Sequence, residues 1–112
     1  MQYKMSKEHK KNYLLGLRCG EYQQISGEYY DGYNGDYPCV CAVGLYLHQI
    51  NGAKEVERAY NDEDMSSLDF GWMIREHDED NSLIDDIVHL NDDAADTFEE
   101  IADWVEEHVE GV

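Results

Sequence analysis

The stretch from Cys39 to Ile50 constrains this chain most. Cys39-Val40-Cys41-Ala42-Val43-Gly44-Leu45-Tyr46-Leu47-His48-Gln49-Ile50 is apolar on nearly every side. A helix of that kind has no full face to give to water, so it must lie at the centre with the other elements packed around it. Pro38 suits its first turn, where a missing N–H leaves no bond unmade, and Asn51-Gly52 suits its end. The sequence therefore predicts a buried central helix beginning at Pro38.

The elements around that helix must cover it while carrying a heavy load of charge. Lys and Arg number 8 and Asp and Glu 26, a formal net charge of −18 over 112 residues. A chain so poor in cations does not grip DNA, RNA or an anionic membrane by electrostatics, because phosphate contacts need Lys and Arg. Acidity alone often accompanies disorder. Here, however, 42% of the residues are hydrophobic, and 2 Trp, 9 Tyr and 2 Phe supply the bulk of a core. The expectation is one folded acidic domain over residues 1–112. No run approaches the ~20 apolar residues of a membrane span. Met-Gln-Tyr-Lys-Met-Ser lacks the apolar stretch of a secretion signal. Three cysteines without such a signal suit a reducing cytoplasm better than a disulfide framework.

The charge is polarised. Residues 1–18 hold Lys4, Lys7, Lys10, Lys11 and Arg18 against Glu8, a net of +4, so the remaining 94 residues carry −22. The basic leader reads as a helix, with Ser6 as N-cap, Tyr13, Leu14 and Leu17 as its apolar stripe and Cys19-Gly20 as its end. Its simplest use is to pair with the acidic body and lower repulsion within the fold. The alternative is that it meets the body of a second copy, giving a homodimer. From Glu21 to Tyr37, the turn dipeptides Asp31-Gly32 and Asn34-Gly35 interleave with Tyr29, Tyr30, Tyr33 and Tyr37, which predicts a short β-hairpin. A short helix is predicted over Lys54–Tyr60. Leu68, Phe70, Trp72 and Ile74 alternate as in a strand between charged flanks.

The acidic helices of residues 82–110 follow. Ser82 is placed to cap a helix with Leu83, Ile84, Ile87, Val88 and Leu90 on one face. Thr97 and Glu100 form a capping box ahead of a last helix whose inward positions are Phe98, Ile101, Ala102, Val105 and Val109. The predicted fold is thus mainly α within an α+β class: four to five helices with a short Tyr/Gly-rich hairpin.

Three blocks of the sequence resemble a family of small, mostly uncharacterised bacteriophage proteins. Leu90-Asn91-Asp92 followed by Thr97-Phe98-x-Glu100-Ile101-Ala102-Asp103 is similar to that family's terminal block, a Leu-Asn-Asp turn and a Ser/Thr-Phe-x-Glu-Ile-Ala-Asp helix. Leu15 to Gln24 is similar to its opening helix, which ends in a small-Gly-x-Tyr-x-Gln segment. Residues 39–47 are loosely similar to its central Cys-Cys-Leu-Gly-Val-Leu helix; here Val40 splits the cysteines and Gly44 is displaced by one position. The resemblance implies a phage accessory protein working in the cytoplasm of a bacterial host. It brings no catalytic residues, and the family's typical members are less acidic.

No pattern for chemistry stands out. Cys39-x-Cys41 is tighter than zinc-knuckle spacing and lacks a second pair, so the thiols read as small core hydrophobes. A calcium loop starting at Asp62 would want Gly at 67 and Glu at 73, where the chain has Ser67 and Met73. Asp78-Glu79-Asp80 recurs as an acidic run with no better match. There is no nucleophile elbow, P-loop or dinucleotide fingerprint. The expectation is a protein that is not an enzyme and that uses no metal or cofactor.

The charge itself suggests a function. Carboxylates can imitate the phosphates of duplex DNA and occupy the basic nucleic-acid-binding cleft of a host protein. Six acids lie between Glu99 and Glu110. At ~1.5 Å rise per residue that is about one charge per 3 Å, against ~1.7 Å per charge in DNA. The candidate face comprises Asp85, Asp86, Asp92, Asp93, Asp96, Glu99, Asp103, Glu106, Glu107 and Glu110. It suits an anti-restriction or anti-CRISPR inhibitor that binds a protein rather than nucleic acid or membrane. The alternative is a protein–protein interaction module using the tyrosine-rich segment, with Tyr30 and Tyr33 as its exposed contacts.

Overall fold

The computed structural model describes residues 3–73 and 83–112. The fold is mainly helical and of α+β type. In chain order it runs β1 (Tyr3–Met5), α1 (Lys7–Arg18), β2 (Gln23–Gln24), β3 (Tyr30–Asn34), β4 (Tyr37–Val40), α2 (Ala42–Asn51), α3 (Ala53–Asn61), α4 (Leu83–Val88), α5 (Phe98–His108) and β5 (Val109–Gly111). Two short 3-10 turns, Met65–Ser67 and Gly71–Met73, follow α3, and a single π turn, His89–Asp93, continues α4.

The central helix is present, but it starts later than predicted. Pro38 and Cys39 belong to β4, the middle strand of a three-stranded sheet of order β2-β4-β3. The apolar run from Cys39 serves two elements, and periodicity alone does not separate a buried strand from a buried helix. Proline is tolerated on this middle strand because pairing with β2 begins only at Gln23↔Cys39, one residue past it. Cys41 then caps α2, its Sγ accepting from Gly44 N at 3.4 Å. Ala42 to Leu47 are all buried. Gly44 is required by a close approach: a Cβ there would lie 1.7 Å from the Tyr29 carbonyl oxygen, which also accepts from Cys41 N.

The hairpin forms as expected. Asn34 pairs with Tyr37, and Gly35 at φ +63° gives the tight turn its left-handed residue. The second dipeptide, Asp31-Gly32, makes no turn; it sits in β3, where the register slips between Tyr30 and Tyr33. Ser6 caps α1 by accepting from His9 N at 3.1 Å. The Thr97–Glu100 box closes in both directions, with Glu100 N to Thr97 Oγ1 at 3.2 Å and Thr97 N to Glu100 Oε1 at 3.0 Å. Phe98, Ile101, Ala102, Val105 and Val109 are all buried.

Two further expectations need correction. Leu68, Phe70 and Trp72 lie in and around the two 3-10 turns, not in a strand. The last helix ends at His108, so Val109 and Glu110 belong to β5, which pairs in parallel with β1. That small sheet ties the first described residues to the last, with Val112 N donating to Met5 O at 2.8 Å. The predicted roles of Ser82, Ile74 and Asp78-Glu79-Asp80 fall outside the described residues.

Candidate functional site

The basic leader folds along the acidic terminal helix of its own chain. Arg18, in the last turn of α1, reaches Glu99 at 3.2 Å, Asp103 at 2.7 Å and Glu106 at 3.1 Å. The helical spacing i, i+4, i+7 puts these three carboxylates in one row, so a single guanidinium can fork among them. Their hydrogen bonds raise the Arg18 pKa further. Lys10 Nζ adds a bond to the Glu106 carbonyl at 3.3 Å, and Lys4 stands level with Glu110 across the β1–β5 pair.

The ten predicted acids therefore do not form one uniform face. Glu99, Asp103 and Glu106 are exposed but are gathered around Arg18; Glu110 is half-buried. Asp86 is half-buried and accepts a hydrogen bond from the Tyr3 hydroxyl. Asp93 lies 3.0 Å from His89 Nδ1. Asp92 accepts from Asn91 Nδ2 at 2.7 Å, and Asp96 bonds Gln24 through its backbone carbonyl. Asp85 and Asp92 come together with Glu28 on the wall of an open cleft of about 360 Å³. Glu107 is exposed on the outer side of α5. Residues 83–112 still hold 11 carboxylates and not one Lys or Arg.

The tyrosine segment divides differently from the prediction. Tyr30 is buried at 2% exposure, its hydroxyl bonded to Glu57 and its ring edge-on to Tyr60 at 5.1 Å. It covers the core beside α3 and is no exposed contact; burial first, then the Glu57 carboxylate, pushes its pKa far up. Tyr33 is 49% exposed, as expected, and Tyr37, which was not singled out, is 50% exposed. The signal for Tyr37 was its place directly after the Asn34-Gly35 turn, where a hairpin leaves a side chain at the sheet's end. Tyr33, Tyr37 and the half-buried Tyr22 line one cleft with Glu21, Asp36 and Pro38.

The thiols sit in structural places. Cys39 and Cys41 are buried and Cys19 is exposed. Burial pushes the Cys41 thiol up to about 11, away from thiolate reactivity. Among the described residues, no group of three or more His, Cys, Asp or Glu side chains is placed to hold a metal ion. Nor is any helix among them long and apolar enough to cross a membrane.

The Leu90-Asn91-Asp92 turn, Gln24 and the Thr97-Phe98 start of α5 converge on a polar node centred on buried Asn91. Asn91, 4% exposed, accepts at Oδ1 from Gln24 Nε2 (2.9 Å) and Ala42 N (3.1 Å), and its Nδ2 donates to Ile25 O at 2.8 Å. Gln24 Oε1 in turn accepts from Phe98 N at 3.1 Å. The node thus joins the Tyr-x-Gln segment, the start of the central helix, the Leu-Asn-Asp turn and the start of α5. Asn91 is its buried centre, satisfied at both ends of its amide, and Gln24 lies half-buried at its edge. No family model, curated protein or solved structure matches the chain.

Proposed function

We propose that the protein is a phage-type inhibitor that acts by binding, docking its acidic surface on the basic nucleic-acid-binding cleft of a host defence protein such as a restriction or CRISPR nuclease. One observation carries the reading: residues 83–112 hold 11 carboxylates with no Lys or Arg among them, and five of these are mounted on the capped, core-backed α5. A field of fixed negative charge steers association with a cationic partner and makes it sensitive to salt. The resemblance to phage proteins supports the same setting, the cytoplasm of an infected bacterium. Arg18 answers part of the charge internally, so the display rests chiefly on Asp85, Asp93 and Glu107.

The test is capture of partners from a bacterial lysate at about 0.05 and 0.2 M salt. A nuclease or DNA-binding protein retained only at low salt is the expected result. Asp85→Lys, Asp93→Lys and Glu107→Lys together should abolish retention without disturbing the Arg18 cluster. Retention unchanged by these reversals would sink the reading. A second reading, an interaction module that binds through exposed tyrosines, is favoured by the half-exposed rings of Tyr33 and Tyr37. In that case Tyr33→Ala with Tyr37→Ala removes binding and charge reversal does not.

A further inference from the structure

We propose that the cleft at the hairpin end of the three-stranded sheet is a seat for an arginine side chain of a protein partner. The cleft has a volume of about 410 Å³ and is lined by Glu21, Tyr22, Tyr33, Asp36, Tyr37 and Pro38. The sheet register assembles it. Tyr33 pairs with Pro38, and one step back from Gln23↔Cys39 brings Tyr22 level with Pro38 on the other side. Tyr22, Pro38 and Tyr33 therefore stand on one row, and Tyr37 lies one residue before Pro38, level with Asn34. None of its lining residues belongs to residues 83–112, so it does not depend on the acidic-display reading.

The walls select a flat cation. Aromatic faces carry negative potential and attract a cation held against them. Glu21 and Asp36 are exposed carboxylates at the rim, and among the described residues no Lys or Arg lines the cleft to answer them. His48 stands behind the rings, edge-on to Tyr22 at 5.8 Å and with Nε2 3.3 Å from the Tyr33 hydroxyl. Burial lowers its pKa, which keeps the imidazole neutral at pH 7, so it does not repel a positive guest. A guanidinium suits this lining better than an ammonium. It is planar, weakly hydrated, stacks on tyrosine and forks to carboxylates, whereas a lysine head is a compact, strongly hydrated point charge.

The seat is organised in advance. Asn34 Nδ2 donates to Gln23 Oε1 at 2.5 Å, fastening the hairpin to β2. The half exposure of Tyr33 and Tyr37 is contact area that the core does not use, as at interfaces built around aromatic anchors.

The experiment is a titration of the isotope-labelled protein with an acetylated Gly-Arg-Gly amide, followed by NMR. The same peptide with lysine, and with the uncharged isostere citrulline, serve as controls. The arginine peptide should shift resonances of Tyr22, Tyr33 and Tyr37 with an affinity on the order of millimolar. The lysine peptide should bind several-fold more weakly and the citrulline peptide at least ~10-fold more weakly. Tyr33→Ala and Tyr37→Ala should each weaken binding about 2- to 5-fold. Glu21→Gln with Asp36→Asn should weaken it about 10-fold, although only two of 26 acids are lost. The unperturbed spectrum of each variant certifies its fold. If the double carboxamide variant binds like the parent, the attraction is diffuse and the seat is refuted. Equal binding of the lysine peptide, or binding only of a trimethyllysine peptide, overturns the assignment to arginine. Glu107→Lys should leave the titration unchanged, which separates this result from the fate of the acidic display.

Discussion

Asn91 carries more of the fold than any charged residue. It is the one buried polar residue outside the aromatic and thiol core among the described residues, and its amide meets four partners. Asn91→Ala strands the Ala42 N–H and the Ile25 carbonyl together and takes one of three bonds from the Gln24 amide, which keeps Asp96 O and Phe98 N. A loss of about 2–4 kcal/mol is expected, read as a lower urea midpoint. A shift under ~0.5 kcal/mol would mean that the node is not holding the elements together. The sequence drew attention to Leu90-Asn91-Asp92 and to Gln24, but not to their meeting in one contact. A motif in one dimension does not say whether its polar residues face a partner or each other, and here they face each other.

His48 gives a pH dependence with a defined sign. Burial lowers its folded pKa below the ordinary 6.5. As pH falls through 6.5, the unfolded chain takes up a proton that the folded chain refuses. Stability from this group is therefore present above 6.5 and is lost as pH falls toward its folded pKa. NMR titration should place His48 below the ordinary 6.5. The difference in urea midpoint between the parent and His48→Gln should shrink between pH 7.5 and 5.5. A constant difference would count against the sign.

At the scale of elements, the helices and the β3–β4 hairpin were legible, and the strands β1, β2 and β5 were not. α1 and α5 announce themselves through caps and through apolar residues three and four apart, and α3 through that spacing alone, all of which are local signals. Thr97→Ala removes the side-chain half of the capping box. It should cost about 1 kcal/mol, whereas Thr97→Ser, which keeps the acceptor, should cost much less; thermal denaturation of both variants checks this. β1 and β5 carry no such signal. Three residues are too few for a period, and their partner lies over 100 residues away, so only the folded chain brings Tyr3 to Val109. The displaced start of α2 has a related cause. Cys39 and Val40 were apolar enough for either structure, and the neighbouring strands β2 and β3 decided the matter. The candidate site fared likewise. The exposure of Glu107 and Tyr33 followed from spacing, but the burial of Tyr30 depended on the arrival of Glu57 and Tyr60 from α3, which no local pattern contains.

For the whole molecule, the leader and the body are parts of one electrostatic balance. Arg18 holds three carboxylates and Lys4 stands opposite Glu110, so the +4 segment answers the terminal acids within the chain. A net charge of −18 nevertheless remains, and its self-repulsion opposes the compact state. Salt shortens the reach of that repulsion, from a Debye length of about 30 Å at 0.01 M to about 10 Å at 0.1 M. The melting temperature should therefore rise as sodium chloride increases over this range. Arg18→Gln should melt below the parent at low salt and approach it at high salt, because the carboxylates it releases are exposed and readily screened. Binding to a basic partner should respond with the opposite sign, since the same ions compete for the attraction between the two proteins. Thermal melts and partner titrations over one salt series measure both slopes. Opposite slopes place the carboxylates in the interface. If binding holds constant while stability rises, the acids govern only folding, and the partner is held by the tyrosine cleft instead.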